Sequence, residues 1–212
     1  MIQSKSDLSF YISEDNKQYF ENRGILKRLM GVVKDAILLN EKFLIYRFKV
    51  ELRKVEYYKN VRKDVIGKMM FLWHFFLFKR LSWKLKCVIF PNTVGSGLKF
   101  YHIGSFIHIG ENCHIGKNLS FPGGVVLGKD KNGICEVTIG DNCFIGINTT
   151  ILGKVNIGNN VTIGAHSLVL SDIPDNAVAV GSPAKVIKIN DKKSPFALRS
   201  GNGGEGIMKR KQ

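Results

Sequence analysis

A six-residue period over residues 88–189 constrains this chain more than any other feature of its sequence. Bulky apolar residues recur at every sixth position from Ile103, with one break at residues 128–136 after which the period resumes in phase. Most of these residues are followed by glycine, as in Ile109-Gly110. A hexapeptide period is typical of a parallel β-helix, in which each repeat places one short strand on one wall of a prism. The apolar positions are Ile103, Ile109, Ile115, Phe121, Leu127, Ile139, Ile145, Ile151, Ile157, Ile163 and Val169.

A second position of each repeat, two residues before the apolar one, is also apolar or small. Alternation of this kind is what a short strand with one buried face requires. Gly and Asn fall between the strands, where the chain turns a corner and positive φ angles are needed. Cys113 and Cys143 occupy the second inward position, so we predict that they are core residues rather than ligands or nucleophiles. Roughly a hundred residues at three hexapeptides per turn predict about five coils.

Charge divides the chain into three parts. Residues 1–86 hold 19 Lys and Arg against 9 Asp and Glu, residues 87–190 hold 7 against 6, and residues 191–212 hold 6 against 2. We predict a basic, helical N-terminal unit, a β-helix domain with a C-terminal cap, and a flexible basic tail. Helical spacing marks residues 25–39 and 43–61, whereas residues 1–22 are polar and are expected to be loosely structured. The basic flanks favour an anionic partner (a lipid surface, a nucleic acid or a phosphorylated substrate) or are simply solvated.

Residues 69–78 form the most apolar block of the chain, and basic residues follow it from Lys79. Ten residues are too few to span a bilayer as a helix, which needs about 20. One interpretation is a buried helix that packs the N-terminal unit against the prism or against another subunit. The other is an in-plane helix that brings residues 65–86 into peripheral contact with a membrane.

The cellular compartment is predicted from the cysteines and from the N-terminal residues. The four cysteines contain no C-x-x-C pair, and the first residues lack a basic segment followed by an apolar core. Free thiols in a reducing cytoplasm are therefore expected. The sequence contains no phosphate-binding glycine motif and no cluster of metal ligands, so no metal is expected.

Two stretches of the period resemble a known family. Residues 139–187, which include Ser182-Pro183-Ala184-Lys185, are similar to the C-terminal half of hexapeptide-repeat acyltransferases. His102-Ile103-Gly104, the Val-Val-Leu run before Gly128 and the T-I-G-D-N of residues 138–142 resemble serine acetyltransferases. They resemble still more the relatives encoded with surface-polysaccharide enzymes. The resemblance implies a mainly β chain, a left-handed parallel β-helix with an N-terminal α-helical unit. It also implies acetyl-CoA as co-substrate, a hydroxyl acceptor, and a homotrimer with active sites between neighbouring prisms.

Acetylation of an alcohol needs a base, because a free hydroxyl is a weak nucleophile at neutral pH, and histidine is the usual choice. His102, His108 and His114 each precede an inward anchor by one residue, so we expect them to point outward from three different walls. The resemblance assigns the base to His102, with His108 in reserve. His74 lies in the apolar block and is expected to be structural.

Two departures from the resemblance concern the acceptor. Cys87 stands where serine acetyltransferases carry the aspartate that orients the base, and Glu136 stands where they carry a second histidine. We expect His102 to be oriented instead by a backbone carbonyl or by Glu111 or Glu136, which makes Glu136 the second catalytic candidate. Loss of both family residues favours a larger hydroxyl acceptor, such as a sugar, over serine.

The resemblance also places the donor, with the pantetheine arm in a groove between prisms. Small residues at Gly146 and Ala165 would let the arm lie close to the backbone. Lys185, and Lys129 in the loop that begins at Gly128, could meet the phosphates of CoA as point charges. A loop that interrupts a strict repeat commonly carries function.

The residues and the family resemblance together leave four possible functions. The leading one is an acetyl-CoA-dependent O-acetyltransferase acting on a sugar in surface-polysaccharide biosynthesis. The alternatives are an L-serine O-acetyltransferase of cysteine biosynthesis and a sugar N-acetyltransferase. A last alternative is not an enzyme but a β-helix scaffold whose basic N-terminal unit binds a membrane. No nucleic acid is expected as partner.

Overall fold

The computed structural model describes residues 1–20, 34, 38 and 40–190, and these form three helices followed by thirteen strands. The helices are α1 (Lys5–Phe20), α2 (Glu41–Asn60) and α3 (Val65–Leu85). The helix expected over 25–39 lies outside the described residues except for positions 34 and 38, and the tail from residue 191 lies outside them entirely.

The strands stack into a parallel β-helix of about five coils, which confirms the fold predicted from the hexapeptide period. One sheet supplies the first wall, and the second wall shares the long strand β9 with it. The first wall contains β1 (Cys87–Ile89), β3 (Ile107–Ile109), β6 (Val126–Gly128), the first half of β9 (Thr150–Ile157) and β11 (Leu168–Val169). The second contains β4 (His114–Ile115), β7 (Cys135–Ile139) and the second half of β9, with single bridges at Val94 and Ile173.

The third wall is a separate sheet and ends in a hairpin. It contains β2 (Lys99–Phe100), β5 (Ser120–Phe121), β8 (Phe144–Ile145), β10 (Thr162–Ile163), β12 (Ala177–Gly181) and β13 (Ala184–Ile189). All neighbours in this wall are parallel except β12 and β13, which pair antiparallel at its outer end. The hairpin therefore forms the C-terminal cap expected for the open end of the prism.

Anchor residues of successive coils lie above one another in three buried columns. On the third wall the column contains Phe100, Phe121, Ile145, Ile163 and Ala179. The rings of Phe100 and Phe121 stack with centroids 5.8 Å apart, which continues the column through the first two coils. Each coil thus contributes at least one apolar side chain per wall to the core of the prism.

The apolar column of the third wall begins at Phe100, three residues before the first apolar residue of the period. Ile103 was expected to be an anchor, but Phe100 fills that slot on the third wall and Ile103 is only half-buried. Residues 101–106 instead form an irregular segment between β2 and β3. The second break, at residues 129–134, is the one that the sequence predicted, and it separates β6 from β7.

Three of the four cysteines are buried in the prism, as predicted for Cys113 and Cys143. Burial raises the pKa of the Cys113 thiol to about 12 and that of Cys143 to about 11. Cys87 is fully buried at the start of β1, and burial raises its pKa even further. Burial and a raised pKa are what core thiols show, which agrees with the structural role predicted for Cys113 and Cys143.

The N-terminal residues are more ordered than expected. Residues 1–22 were predicted to be loosely structured, which is wrong because residues 5–20 form helix α1. Asp15 of this helix is buried and accepts hydrogen bonds from the backbone N–H groups of Gly97 and Leu98. It also receives the guanidinium of Arg53, whose Nε lies 2.7 Å from the carboxylate. These contacts attach α1 to the first coil.

Helices α2 and α3 close the base of the prism. Phe48 of α2 packs against Phe78 of α3 and against Phe100 of the first coil, with ring centroids 5.2 and 5.9 Å away. His74 is buried beside Glu51, with Nδ1 2.6 Å from the carboxylate, which agrees with the structural role expected for it. The hydrophobic core is therefore continuous from the helices into the prism. The predicted domain boundary at residue 86, between the N-terminal unit and the β-helix domain, stays a prediction.

Helix α3, which contains the apolar block, has one buried side and one exposed side, and contact with a membrane stays a prediction. His74 and Phe78 are buried against the rest of the chain, whereas Met69, Trp73 and Phe76 are exposed on the other side. Within the described residues, no helix combines the length and the apolar character needed to cross a membrane.

Candidate active site

His102 lies in the irregular segment at the edge between the third and first walls. We call this edge the His102 edge and define it by residues 101–106, 122–124, 146–148 and 164–166 of successive coils. The backbone N–H of His102 donates to the Pro122 carbonyl, 2.9 Å away, and its side chain is 69% exposed. The imidazole is therefore open to a substrate that approaches this edge.

The expectation that three histidines occupy three walls is only partly right. His108 lies on the first wall in β3 and His114 on the second wall in β4. His102 lies at an edge rather than on a wall, because residues 101–106 break the period. His108 is half-buried, and its Nδ1 is 3.0 Å from the Leu127 carbonyl, so one ring nitrogen is already bonded.

Glu41 is the acid that the structure places beside His102. Its Oε2 is 3.7 Å from His102 Nδ1, and its Oε1 accepts a hydrogen bond of 2.5 Å from the Ile103 N–H. Glu41 opens helix α2, where the Asn40 side chain accepts from the Lys42 N–H and caps the helix. The backbone bond holds the carboxylate next to the histidine, within reach of a hydrogen bond after a small side-chain movement.

The orienting acids expected from the sequence lie elsewhere. Glu111 and Glu136 both lie at the edge between the first and second walls, on the other side of the prism from segment 101–106. Glu136 is exposed and forms an ion pair of 3.2 Å with Lys154. Within one chain, the acid beside His102 is therefore Glu41 rather than Glu111 or Glu136. A role of Glu136 towards this base stays a prediction.

A polar depression surrounds Glu136 on the second wall. It is lined by Asn112, His114, Glu136, Thr138, Lys154, Val155, Asn156 and Asp172. Glu136 thus lies among side chains that can bind a polar ligand, although at a distance from the exposed imidazole of His102.

The residues predicted to hold CoA fall into two groups. Gly146, Ala165 and Lys185 lie along the His102 edge, whereas Gly128 and Lys129 lie at the edge that carries Glu136. A Cβ on Gly146 would overlap the backbone of Ala165 in the next coil, so the stacking of coils by itself requires glycine there. Lys185 is exposed and pairs with Val180, which lies directly above Gly164.

The loop after Gly128 is held together by Asp130. The Asp130 carboxylate accepts from the N–H groups of Asn132 and Ile134, at 2.8 and 2.9 Å. Hydrogen bonds from the Ile134 backbone, above all, keep the pKa of Asp130 below its usual value. Lys129 is exposed at the start of this loop and is available to an anion.

A cavity of about 290 Å³ opens between α1, α2 and the first coil. Residues adjacent in sequence to the His102–Glu41 pair, Tyr101 and Lys42, contribute to its lining. The rings of Tyr19 and Tyr46 are stacked on its wall, 5.2 Å apart and nearly parallel. Asn16 also contributes to the lining, and its buried Oδ1 has no hydrogen-bond partner among the described residues. The full lining is Asn16, Gln18, Tyr19, Lys42, Ile45, Tyr46, Lys49, Phe100 and Tyr101.

Sequence reasoning missed Glu41 and this cavity. Glu41 is separated from Ile103 by 62 positions, and the period that organises residues 88–189 carries no information about the helices. A carboxylate just inside a helix N-terminus has an ordinary structural role there, so the residue gave no functional signal. In the part of the chain that the structure describes, no three His, Cys, Asp or Glu side chains are grouped to hold a metal ion.

Two family models match segments of the prism. The bacterial transferase hexapeptide (six repeats) matches residues 136–171, and the hexapeptide repeat of succinyl-transferase matches residues 107–130.

Two serine acetyltransferases of known structure share the fold. That of Neisseria gonorrhoeae is 30% identical, has a TM-score of 0.64, and is aligned over 93% of this chain and 71% of its own. It has also been solved in complex with serine. That of Brucella abortus strain S19, solved in complex with coenzyme A, is 23% identical with a TM-score of 0.61 over 86% of this chain and 68% of its own. At that identity the second comparison supports the fold alone.

Curated relatives match over shorter segments. The galactoside O-acetyltransferase of Lactococcus lactis is 60% identical over 42 residues, which are 19% of this chain and 20% of that protein. Other curated relatives are likewise matched over less than a third of their length, between 13% and 30%. The stacked hexapeptide coils and the aligned serine acetyltransferase structure agree on the family. The chain belongs to the hexapeptide-repeat acyltransferases and is serine acetyltransferase-like.

Proposed function

We propose that this chain is an acetyl-CoA-dependent O-acetyltransferase in which His102 is the general base. The observation that carries the proposal is an exposed histidine beside a carboxylate, at the edge of a prism of the acyltransferase family. In the reaction, His102 takes the proton of the acceptor hydroxyl while that oxygen attacks the thioester carbonyl. The tetrahedral intermediate then expels the CoA sulfur, which leaves as a thiol after receiving the proton from the imidazolium. Glu41 stabilises the imidazolium and holds the ring in place.

The His102 edge supports the placement of the donor. Coils stack about 4.8 Å apart, so the four steps from the first coil to the fifth span about 19 Å. An extended pantetheine arm that runs past Gly146 and Ala165 would reach from Lys185 at the far end towards His102. Backbone groups at these corners would bind the amides of the arm, and Lys185 would meet the phosphates as a point charge.

The second group of predicted residues fits a homotrimer. Gly128, Lys129 and Glu136 share one edge of the prism, and His102 lies at another. If both edges serve one active site, they come from neighbouring prisms, as the family resemblance implies. We therefore keep Glu136 as a catalytic candidate and Lys129 as a donor contact, each acting at the site of the neighbouring subunit.

A sugar hydroxyl is our proposed acceptor. The position where serine acetyltransferases carry the acid that orients the base holds Cys87, which is buried and has a raised pKa, so this position supplies no charge to the site. The cavity between α1, α2 and the first coil instead offers two stacked tyrosines, the polar side chain of Gln18, and Lys42. Aromatic faces and polar side chains together suit a ring that carries hydroxyl groups. The similarity to galactoside O-acetyltransferase points the same way. A place in surface-polysaccharide biosynthesis rests on the family resemblance alone.

L-Serine is the second candidate acceptor, favoured by the 30% identity to a serine acetyltransferase that has been solved with serine. Transfer to a sugar amine, or a scaffold without activity, would follow from other outcomes of the same assay. Four free cysteines fit a reducing cytoplasm, which we include in the proposal.

An acceptor panel tests the proposal. The purified chain is incubated with acetyl-CoA and a galactoside, glucosamine or L-serine, and the acetylated product is identified by mass spectrometry. We expect an O-acetylated sugar. O-Acetylserine as the main product would make serine the acceptor, and an N-acetylated sugar would make the acceptor a sugar amine. No product, together with no CoA binding in calorimetry, would favour a β-helix scaffold without activity.

Replacement of the base tests the mechanism. His102→Ala should lower turnover at least about 100-fold while CoA still binds, because only the proton transfer is removed. His108→Ala is the matched comparison. Unchanged turnover in His102→Ala, or the larger loss in His108→Ala, would move the base to the other histidine.

A further inference from the structure

Helix α3 presents an exposed apolar face on the side opposite to its buried one. At about 100° per residue, its most outward positions fall within an arc of about 60°. The five residues at these outward positions are 59 to 84% exposed. Trp73 and Ile66 extend the face on one side. The buried residues of the helix, which include His74, Phe78 and Leu85, lie on the opposite side. The outward positions are Val65, Met69, Leu72, Phe76 and Trp83.

The apolar face is bordered by positive charge. Residues 65–86 contain no Asp or Glu, and their five Lys and Arg side chains are all exposed. At the same angular spacing, Lys68 and Lys79 lie on one flank of the face and Arg80 and Lys84 on the other. An apolar strip between two basic flanks is the pattern of a helix that lies in the plane of a lipid interface. Long basic side chains can bury their stems along such a surface and keep their charged ends in the headgroup layer.

We infer that this face, which we call the α3 face, docks on an anionic lipid surface. The charges decide between a lipid and a second copy of the chain. Two copies that met through their α3 faces would bring basic flanks together without an acid from either helix to neutralise them. Anionic headgroups attract each basic residue of the flanks. This attraction adds to the free energy gained when the exposed apolar side chains are buried in the lipid. The inference does not depend on the proposed activity.

Tryptophan fluorescence gives a direct test, because the two tryptophans of the chain, Trp73 and Trp83, both belong to helix α3 and are exposed. The full chain is mixed with vesicles of roughly three parts phosphatidylcholine to one part phosphatidylglycerol, or with pure phosphatidylcholine vesicles. We expect the emission to move to shorter wavelength with the anionic vesicles only. Sedimentation of the vesicles gives the partition coefficient.

Two sets of variants separate the apolar face from its charges. Met69→Gln, Leu72→Gln and Phe76→Gln together keep both tryptophans and the helix propensity, and should lower partitioning at least about tenfold. The matched control replaces Leu170, Ile187 and Ile189 by Gln; these are similarly exposed but lie on the prism, and partitioning should stay within about twofold. Lys79→Gln with Arg80→Gln should weaken binding at low salt, and less so at high salt.

Several results would overturn the inference. They are an emission unchanged by anionic vesicles, equal binding to neutral vesicles, and equal losses in the face variant and its control. Two results together would assign the α3 face to a second copy of the chain instead. They are tryptophan emission that already lies at short wavelength without lipid, and a mass in ultracentrifugation that is lower for the face variant than for the wild type. Circular dichroism of each variant checks that the chain is folded. Acetyl transfer measured on the same samples shows whether the two proposals stand or fall separately.

Discussion

The carboxylate beside His102 belongs to Glu41, a residue from a distant part of the chain. The acid that the family resemblance places on the prism is absent, because its position holds Cys87. This cysteine lies in β1 and is fully buried. The carboxylate beside His102 comes instead from the first turn of α2. Its second oxygen is bound by the Ile103 N–H, so the same residue contacts both the histidine and the backbone that carries it.

Replacing Glu41 should reveal this positioning role. Glu41→Gln removes the charge but keeps an oxygen for the Ile103 N–H, and we expect turnover to fall about tenfold with the KM for acetyl-CoA unchanged. Glu111→Gln is the control, since Glu111 is an acid at the other edge of the prism. Steady-state kinetics on both variants makes the comparison. Equal activity of the two variants would mean that Glu41 does not support the base.

At the scale of the element, the corners of the prism depend on asparagines in the left-handed region. Asn118, Asn142, Asn160 and Asn176 have φ between 57° and 59° and follow one another along one edge. Asn118 Nδ2 donates to Asn142 Oδ1 over 3.0 Å, and Asn160 Nδ2 to Asn176 Oδ1 over the same distance. Each residue therefore supplies both a permitted backbone conformation and a bond between coils.

Substitution of Asn142 separates these two contributions. Asn142→Ala should lower the free energy of unfolding by about 2 kcal/mol, because alanine tolerates positive φ less well than asparagine and lacks the amide acceptor. Asn142→Gly relieves the backbone and loses only the hydrogen bond, so about 1 kcal/mol is expected. Urea denaturation followed by circular dichroism measures both. A glycine variant no more stable than the alanine variant would contradict the role of the backbone conformation.

At the scale of the whole molecule, helices and prism are joined through a buried charge network. Arg53 of α2 is fully buried and donates to Glu56, to Asp15 of α1, and to the carbonyls of Val94 and Gly95 in the first coil. The buried Lys49 ammonium donates to the Asp15 carbonyl, and burial lowers its pKa to about 8. With the continuous core, these contacts predict that helices and prism unfold in a single transition.

Removal of the Asp15 charge tests this connection. Asp15→Asn should lower the free energy of unfolding by about 3 kcal/mol, because a buried guanidinium loses one of its two carboxylates. Glu136→Gln, which breaks an exposed pair with Lys154, should change stability little. Urea denaturation monitored at α3 by tryptophan fluorescence and overall by circular dichroism reports both variants. Equal midpoints for the two variants, or two separate transitions in the wild type, would show that the helices are held independently.

The sequence by itself determined the prism, its broken loop at 128–136, and the inward positions of Cys113 and Cys143. It could do so because each repeat contacts only its neighbours, so the local period carries the contacts that decide the fold. The tertiary structure alone decided that Phe100 rather than Ile103 begins the third column, that α1 is ordered through Asp15, and that Glu41 reaches His102. These features rest on contacts between residues far apart in the chain, which no periodicity records. The α3 face stands between the two cases, since its apolar residues are evident in the sequence and only packing shows which of them remain exposed.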